Sequence, residues 1–250
     1  MTTVTVRGLT LGEGRPKIIL PITGENDDAL LRQAEEIKGL PCDMAEWRMD
    51  WYEHALDTER LLKAAALLRK TLGEMPVLAT FRTAKEGGER EITSEAYQGI
   101  LSAVTRSGLV DLVDIEAFSG DELVAELIAL CRERGVKTVL SNHDFQKTPE
   151  QEEILRRLKK MEALGADIPK IALMPQRAED VIALLSATLE AARTLSVPVI
   201  TMSMGKLGAI SRLAGETFGS CATFGSPGRA SAPGQVAAAE LERILTLLHG

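Results

Sequence analysis

A lysine set inside an apolar stretch is the first sign of chemistry in this chain. In Asp167-Ile168-Pro169-Lys170-Ile171-Ala172-Leu173-Met174, the neighbours of Lys170 form the nearly continuous apolar run of a strand covered on both faces. Burial disfavours an ammonium ion, and a neutral amine is what a Schiff-base nucleophile requires. A plainer reading also fits: a lysine at a strand end whose charged head reaches water along an apolar stem. His143, in Ser141-Asn142-His143-Asp144, offers an imidazole beside another strand, either for acid–base work or as a loop brace. Glu86 lies in the charged, glycine-rich Lys85-Glu86-Gly87-Gly88-Glu89, where a solvated carboxylate is the default. Glu46, Arg48 and Arg82 sit at the ends of apolar runs, where strand-end ion pairs are ordinary, and Arg212 falls in a helical pattern, by default on the surface.

Whether these groups meet depends on the elements that carry them. After a short hairpin or cap over 4–11, the chain alternates: strand 17–22 and helix 27–38, strand 44–49 and helix 58–72, strand 76–82 and helix 94–107, strand 109–116 and helix 121–134. The second half continues with strand 136–141 and a helix from about 149 to just before Gly165, strand 167–174 and helix 178–195, strand 198–204 and helix 209–216, and strand 220–224 followed by a closing helix 233–248. Eight such units with no linker predict an α/β fold, a (β/α)8 TIM barrel with an N-terminal β-hairpin, as one catalytic domain over residues 1–250. An open α/β sheet fits the alternation but not the count. In a barrel, active-site groups lie at the C-terminal ends of the strands and in the loops after them. That rule gathers Glu46, Arg48, Arg82, Glu86, Glu116, His143, Lys170, Met202, Met204, Arg212, Ser231 and Gln235 around one mouth, the methionines as core or apolar lining. The loop 224–235 is either a flexible connection or an anion site leading into a helix N-terminus. His54 and His249 read as surface residues.

Composition narrows the partners. With 45% hydrophobic residues in 250 there is material for a large core, and with a net charge of -7 and scattered basic residues nothing suggests a nucleic-acid or anionic-membrane surface. Small molecules or a second copy of the chain remain. Cys42, Cys131 and Cys221 are far apart and read as reduced, buried thiols, which suits a cytoplasmic location. The first residues lack the pattern of a signal or transit peptide, and no window is apolar enough to span a bilayer. No metal-ligand spacing, P-loop, dinucleotide fingerprint or Gly-x-Ser-x-Gly elbow occurs, so neither metal nor cofactor is expected.

Five segments taken together carry a family resemblance: Phe81-Arg82-Thr83-Ala84-Lys85-Glu86-Gly87-Gly88, Val113-Asp114-Ile115-Glu116, Val139-Leu140-Ser141-Asn142-His143-Asp144, Ile168-Pro169-Lys170-Ile171-Ala172 and Ser231-Ala232-Pro233-Gly234-Gln235. With them the chain strongly resembles the type I 3-dehydroquinate dehydratases over nearly its whole length. The resemblance implies a homodimeric, cofactor-free (β/α)8 lyase of the shikimate pathway, in aromatic amino acid biosynthesis, that converts 3-dehydroquinate to 3-dehydroshikimate. It further implies that Lys170 forms an imine with the substrate ketone, that His143 is the general acid and base, and that Glu86 holds and tunes His143. By the same resemblance Arg212, Ser231 and Gln235 take the substrate carboxylate, while Glu46, Arg48 and Arg82 contact the ring hydroxyls. Pro21 departs from the family pattern, in which serine is frequent at that place, and puts one minor substrate contact in question.

Overall fold

The structure, a computed structural model, describes residues 3–228 and 232–250. Two short antiparallel strands come first, β1 (Val4–Val6) and β2 (Leu9–Leu11), turned at Arg7 and Gly8, both with positive φ. The alternation follows: β3 (Lys17–Ile22), α1 (Asp27–Lys38), β4 (Met44–Arg48), α2 (Thr58–Leu72), β5 (Val77–Thr80), α3 (Ser94–Arg106), β6 (Leu112–Glu116), α4 (Asp121–Arg134), β7 (Lys137–Asp144), α5 (Gln151–Ala163), β8 (Ile168–Leu173), α6 (Ala178–Thr194) and β9 (Ile200–Ser203). Two short helices, α7 (Ala209–Leu213) and α8 (Gly215–Phe218), lead to β10 (Ala222–Ser226), β11 (Val236–Ala237) and α9 (Ala238–His249). Strands β3 to β9 pair in parallel in chain order, β10 pairs with β3, and the circle closes through a parallel bridge between Val199 and Ser220 and the Cys221 N–H donated to the Val199 carbonyl at 2.8 Å. The expected (β/α)8 barrel is therefore present, with its hairpin.

Local chemistry sets the boundaries. The Asn26 and Asp57 side chains accept backbone N–H groups at the starts of α1 and α2, and Gly135 ends α4 in the left-handed conformation. Several elements depart from the sequence reading by a few residues at an end, and three departures bear on the site. β7 runs on to Asp144, so His143 lies inside a strand rather than after one; the strand ends where the Asp144 carboxylate accepts the N–H groups of Gln146 and Lys147. The helix expected over 209–216 breaks at Ala214 into α7 and α8. The closing helix begins at Ala238, not at 233, because Val236 and Ala237 pair with Gly225 and Ser226, and Gly234 (φ +78°) lies so close to Gly205 that a Cβ there would fall 2.3 Å from the Gly205 carbonyl oxygen.

Alternation along the strands divides the core. Ile18, Leu20, Ala45, Trp47, Val77, Ala79, Val113, Ile115, Leu140, Ile171 and Leu173 pack outward with residues of the helices. The intervening positions turn into the barrel, where Ile19, Met44, Leu78, Leu112, Val139, Ile168, Ile200 and Ala222 form an apolar floor with Val4, Val6 and Leu11 of the hairpin. Two residues further along each strand stand Pro21, Glu46, Thr80, Asp114, Ser141, Lys170, Met202 and Phe224, one layer above that floor. Polar chemistry begins at this second layer.

Candidate active site

Lys170 is buried in the second layer, 3% exposed, so the reading in which its head reaches water does not hold. Its Nζ donates to Asp114 Oδ2 at 3.2 Å and lies 4.4 Å from the centre of the Phe224 ring. Asp114 is fully buried, and its Oδ1 accepts from Arg82 Nη2 at 2.7 Å and from Ser141 Oγ at 2.6 Å. Burial alone pushes this carboxyl up, but the charges of Arg82 and Lys170 and the Ser141 hydrogen bond win and hold it below the usual range. Arg82 also donates to Glu116 Oε1 at 3.0 Å, and Glu116 in turn accepts the backbone N–H and hydroxyl of Thr83, both at 2.8 Å.

His143 and Glu86 form a second unit. Glu86 sits at the end of a single 3-10 turn, Ala84–Glu86, closed by Gly87 in the left-handed conformation, and is buried rather than solvated. Its Oε2 accepts from the His143 backbone N–H at 3.0 Å and lies 2.9 Å from His143 Nδ1; Oε1 accepts from Asn142 Nδ2 at 3.4 Å. Burial, with the positive charges of Arg82, Lys170 and Arg48, holds His143 well below its ordinary value, so the ring is neutral at neutral pH. Burial pushes Glu86 up to about 7, against the pull of Arg82. The pair is then a hydrogen bond between a neutral imidazole and a carboxyl that titrates near neutrality. With Nδ1 engaged, Nε2 is the ring nitrogen left for the cavity.

One cavity of about 120 Å³ is lined by Glu46, Arg48, Arg82, Glu86, His143, Lys170, Arg212 and Gln235, with Phe145, Ala172, Met202, Met204, Phe224 and Pro233 supplying apolar wall. It is the size of a site for one small molecule. Of the residues gathered from the sequence around one mouth, all line it except Glu116, which stands behind Arg82 and Thr83, and Ser231, which lies outside the described residues. Glu46 accepts from Thr80 Oγ1 at 3.0 Å, and Arg48 is gripped bidentately by the fully buried Asp50 at 2.8 and 2.7 Å. Arg212 is buried, 2% exposed, not a surface residue. Its guanidinium donates to the Phe224 and Pro233 carbonyls at 3.4 and 3.1 Å, its Nε has no partner, and no acidic side chain among the described residues pairs with it. Burial lowers it to about 10, still charged at neutral pH.

Residues 18–250 match the family model for type I 3-dehydroquinase. A curated 3-dehydroquinate dehydratase from Escherichia coli O7:K1 is 51% identical over 250 residues, covering 100% of this chain and 99% of the relative. Among solved structures, a type I 3-dehydroquinate dehydratase from Clostridium difficile superposes with a TM-score of 0.97 at 45% identity over 99% of this chain and 98% of that one; a 3-dehydroquinate dehydratase from Geobacillus kaustophilus gives 0.96 at 41% over 99% and 96%. The chain belongs to the type I 3-dehydroquinase family. It is accordingly a lyase of the shikimate pathway, and the family resemblance carried by its five segments holds.

Two residues of this 3-dehydroquinase site escaped the sequence reading. Asp114 was visible only as part of the Val113-Asp114-Ile115-Glu116 pattern, where acids occupy alternate positions of a strand whose other face is apolar; that period-two placement of charge was the available signal. Asp50 had none, since its role depends on a 3-10 turn, Met49–Trp51, that folds it back onto Arg48. Met202 and Met204 line the cavity and the barrel interior, as apolar residues there should. Of the thiols, Cys131 and Cys221 are buried and Cys42 is partly exposed; all three are free.

Proposed function

We propose that this enzyme dehydrates 3-dehydroquinate to 3-dehydroshikimate through an imine on Lys170, with His143 as general base and general acid. The observation that carries this reading is the convergence of a buried amine and a neutral imidazole, held through Nδ1 by Glu86, on one small cavity. The amine attacks the ketone and water departs; the protonated imine then acidifies the adjacent C–H. His143 takes that proton and returns it to the leaving hydroxyl, so the ring ends as it began. Glu86 positions His143 through Nδ1. Arg212, a buried cation with no acidic partner among the described residues, suits the substrate carboxylate because a planar guanidinium matches it, and Gln235 and Ser231 complete that contact. Glu46, Arg48 and Arg82 face the ring hydroxyls. The Clostridium difficile relative was solved with covalently modified comenic acid, which supports a covalent step. Nothing in this reading calls on a metal or cofactor. The chain is further read as a single catalytic domain that acts as a homodimer in the cytoplasm, a reading that sedimentation of the purified protein tests for the dimer.

The test is borohydride reduction in the presence of 3-dehydroquinate, followed by intact mass and peptide mapping, with the ultraviolet absorbance of the enone product as the activity assay. The expected result is a stable adduct on Lys170, absent in Lys170→Ala, and turnover abolished in that variant with its fold retained. Near-wild-type turnover of Lys170→Ala would overturn the mechanism.

A further inference from the structure

Resting on the imine reading above, we propose that Asp114 is the fixed counter-ion of the Lys170 nitrogen throughout the reaction and the group that sets the orientation of the imine. Asp114 is fully buried and its Oδ2 takes a hydrogen from Nζ at 3.2 Å, while Oδ1 is held by Arg82 Nη2 and Ser141 Oγ at 2.7 and 2.6 Å. The carboxylate therefore cannot swing away when Lys170 reacts; both oxygens are engaged from three different strands or their ends.

Charge accounting gives this contact its meaning. An ammonium and a ketone become a protonated imine and water: the C–N bond forms, the carbonyl oxygen leaves with two of the nitrogen's hydrogens, and the nitrogen keeps one hydrogen and the positive charge. The charge facing Asp114 is thus the same at the start and in the imine. What a buried carboxylate at this distance disfavours is the neutral imine, which would no longer draw electrons from the adjacent C–H. Geometry follows from the same count. Three N–H donors fall to one, and the survivor is the one aimed at Asp114, which fixes the plane of the C=N bond and the face it turns to the cavity. The Phe224 ring, 4.4 Å from Nζ, closes another side of the nitrogen with a surface that also favours a cation.

Other charges around Lys170 do not supply this function. Arg82, Arg48, Arg212 and His143 line the same cavity and are cationic or neutral; Glu46 is engaged by Thr80, Glu86 by His143, and Glu116 by Arg82 and Thr83. Among the described residues, Asp114 is the acid that pairs with Nζ.

The test compares wild type with Asp114→Asn, which keeps the shape and removes the charge, using cyanoborohydride, a reagent that reduces protonated imines and spares neutral ones. In wild type, trapping of the Lys170 adduct is expected to stay level from about pH 6 to about pH 9. In Asp114→Asn turnover falls on the order of 10²-fold, and trapping declines steadily as pH rises across that range. A role in packing alone would lower the yield equally at every pH. Level trapping in the variant, in parallel with wild type, overturns the proposal. Absence of any lysine adduct in wild type overturns instead the imine reading on which it rests. Should Asp114→Asn fail to fold, wild-type protein carrying ¹⁵N at the lysine Nζ and saturated with 3-dehydroshikimate decides the matter by NMR: a protonated imine nitrogen across the range supports the counter-ion, and a neutral one at pH near 7 refutes it.

Discussion

At the scale of single residues, the site separates its two proton-handling groups by environment. His143 is kept neutral by burial and by the cations around it, while burial lifts Glu86 to about 7. When Glu86 is ionised it accepts Nδ1–H and leaves Nε2 free as a base; when it is protonated it donates to Nδ1, and Nε2 carries the hydrogen instead. The kcat/KM profile should therefore rise through about pH 7 in wild type, and that limb should vanish in Glu86→Gln; a limb of unchanged midpoint in the variant assigns it to another group. Stability moves the other way. A carboxyl raised from 4.5 to about 7 on folding contributes stability in full below 4.5 and loses it as pH climbs through 7, so the urea midpoint of wild type relative to Glu86→Gln should drop across that window. For His143→Ala, the expected loss of turnover is on the order of 10²-fold or more, with the adduct on Lys170 still trappable; unchanged turnover removes the residue from acid–base work. Lys170 could be picked from the sequence because it interrupts an apolar strand, and His143 because it stands at the end of the strand next to it. Asp50 could not, because a carboxylate gripping a neighbour two residues away has no periodicity to betray it.

At the scale of elements, the strands do most of the positioning by simple alternation, and their centres were legible for the same reason: an apolar run with one polar interruption reads as a strand whichever way its ends fall. Ends were less legible. β7 gains three residues because its pairing with β8 continues from Ser141 opposite Lys170 to Asp144 opposite Leu173, a tertiary fact absent from the local sequence. The start of α9 moved for an equally non-local cause, the close approach of Gly234 to Gly205. The turn that carries Glu86 depends on glycine in a similar way. A Cβ on Gly88 would lie 1.9 Å from the Arg82 carbonyl oxygen, so Gly88→Ala must displace backbone that holds both Arg82 and Glu86. Misplacement of about 1 Å can cost on the order of 10²-fold, and we expect kcat/KM of Gly88→Ala to fall by at least about 10-fold with Lys170 still able to form an adduct. Full activity in this variant would show that the turn tolerates the shift.

At the scale of the whole molecule, the barrel has a chemical mouth and a closed floor. The floor is finished by the hairpin: Val4, Val6 and Leu11 join one apolar cluster with residues of β3 to β10, and Arg7 at its tip bonds Asp111 and Glu74 at 2.6 and 3.0 Å while Arg69 holds the other oxygen of Asp111 at 2.8 Å. Leu11 is fully buried, and Leu11→Ala should cost roughly 2–5 kcal/mol, read as a lower unfolding midpoint, while trapping at Lys170 is unaffected. A parallel loss of adduct would mean that the floor and the site are coupled. The hairpin also ties the first part of the chain to the last. It precedes the barrel strands in the chain, yet the apolar floor it joins includes Ala222 of β10, so during synthesis its apolar face has nowhere complete to go until β10 has emerged. Protection of the Val4 and Leu11 amides in a series of lengthening nascent chains would thus serve as a clock for ring closure, appearing only in chains that have extended past β10.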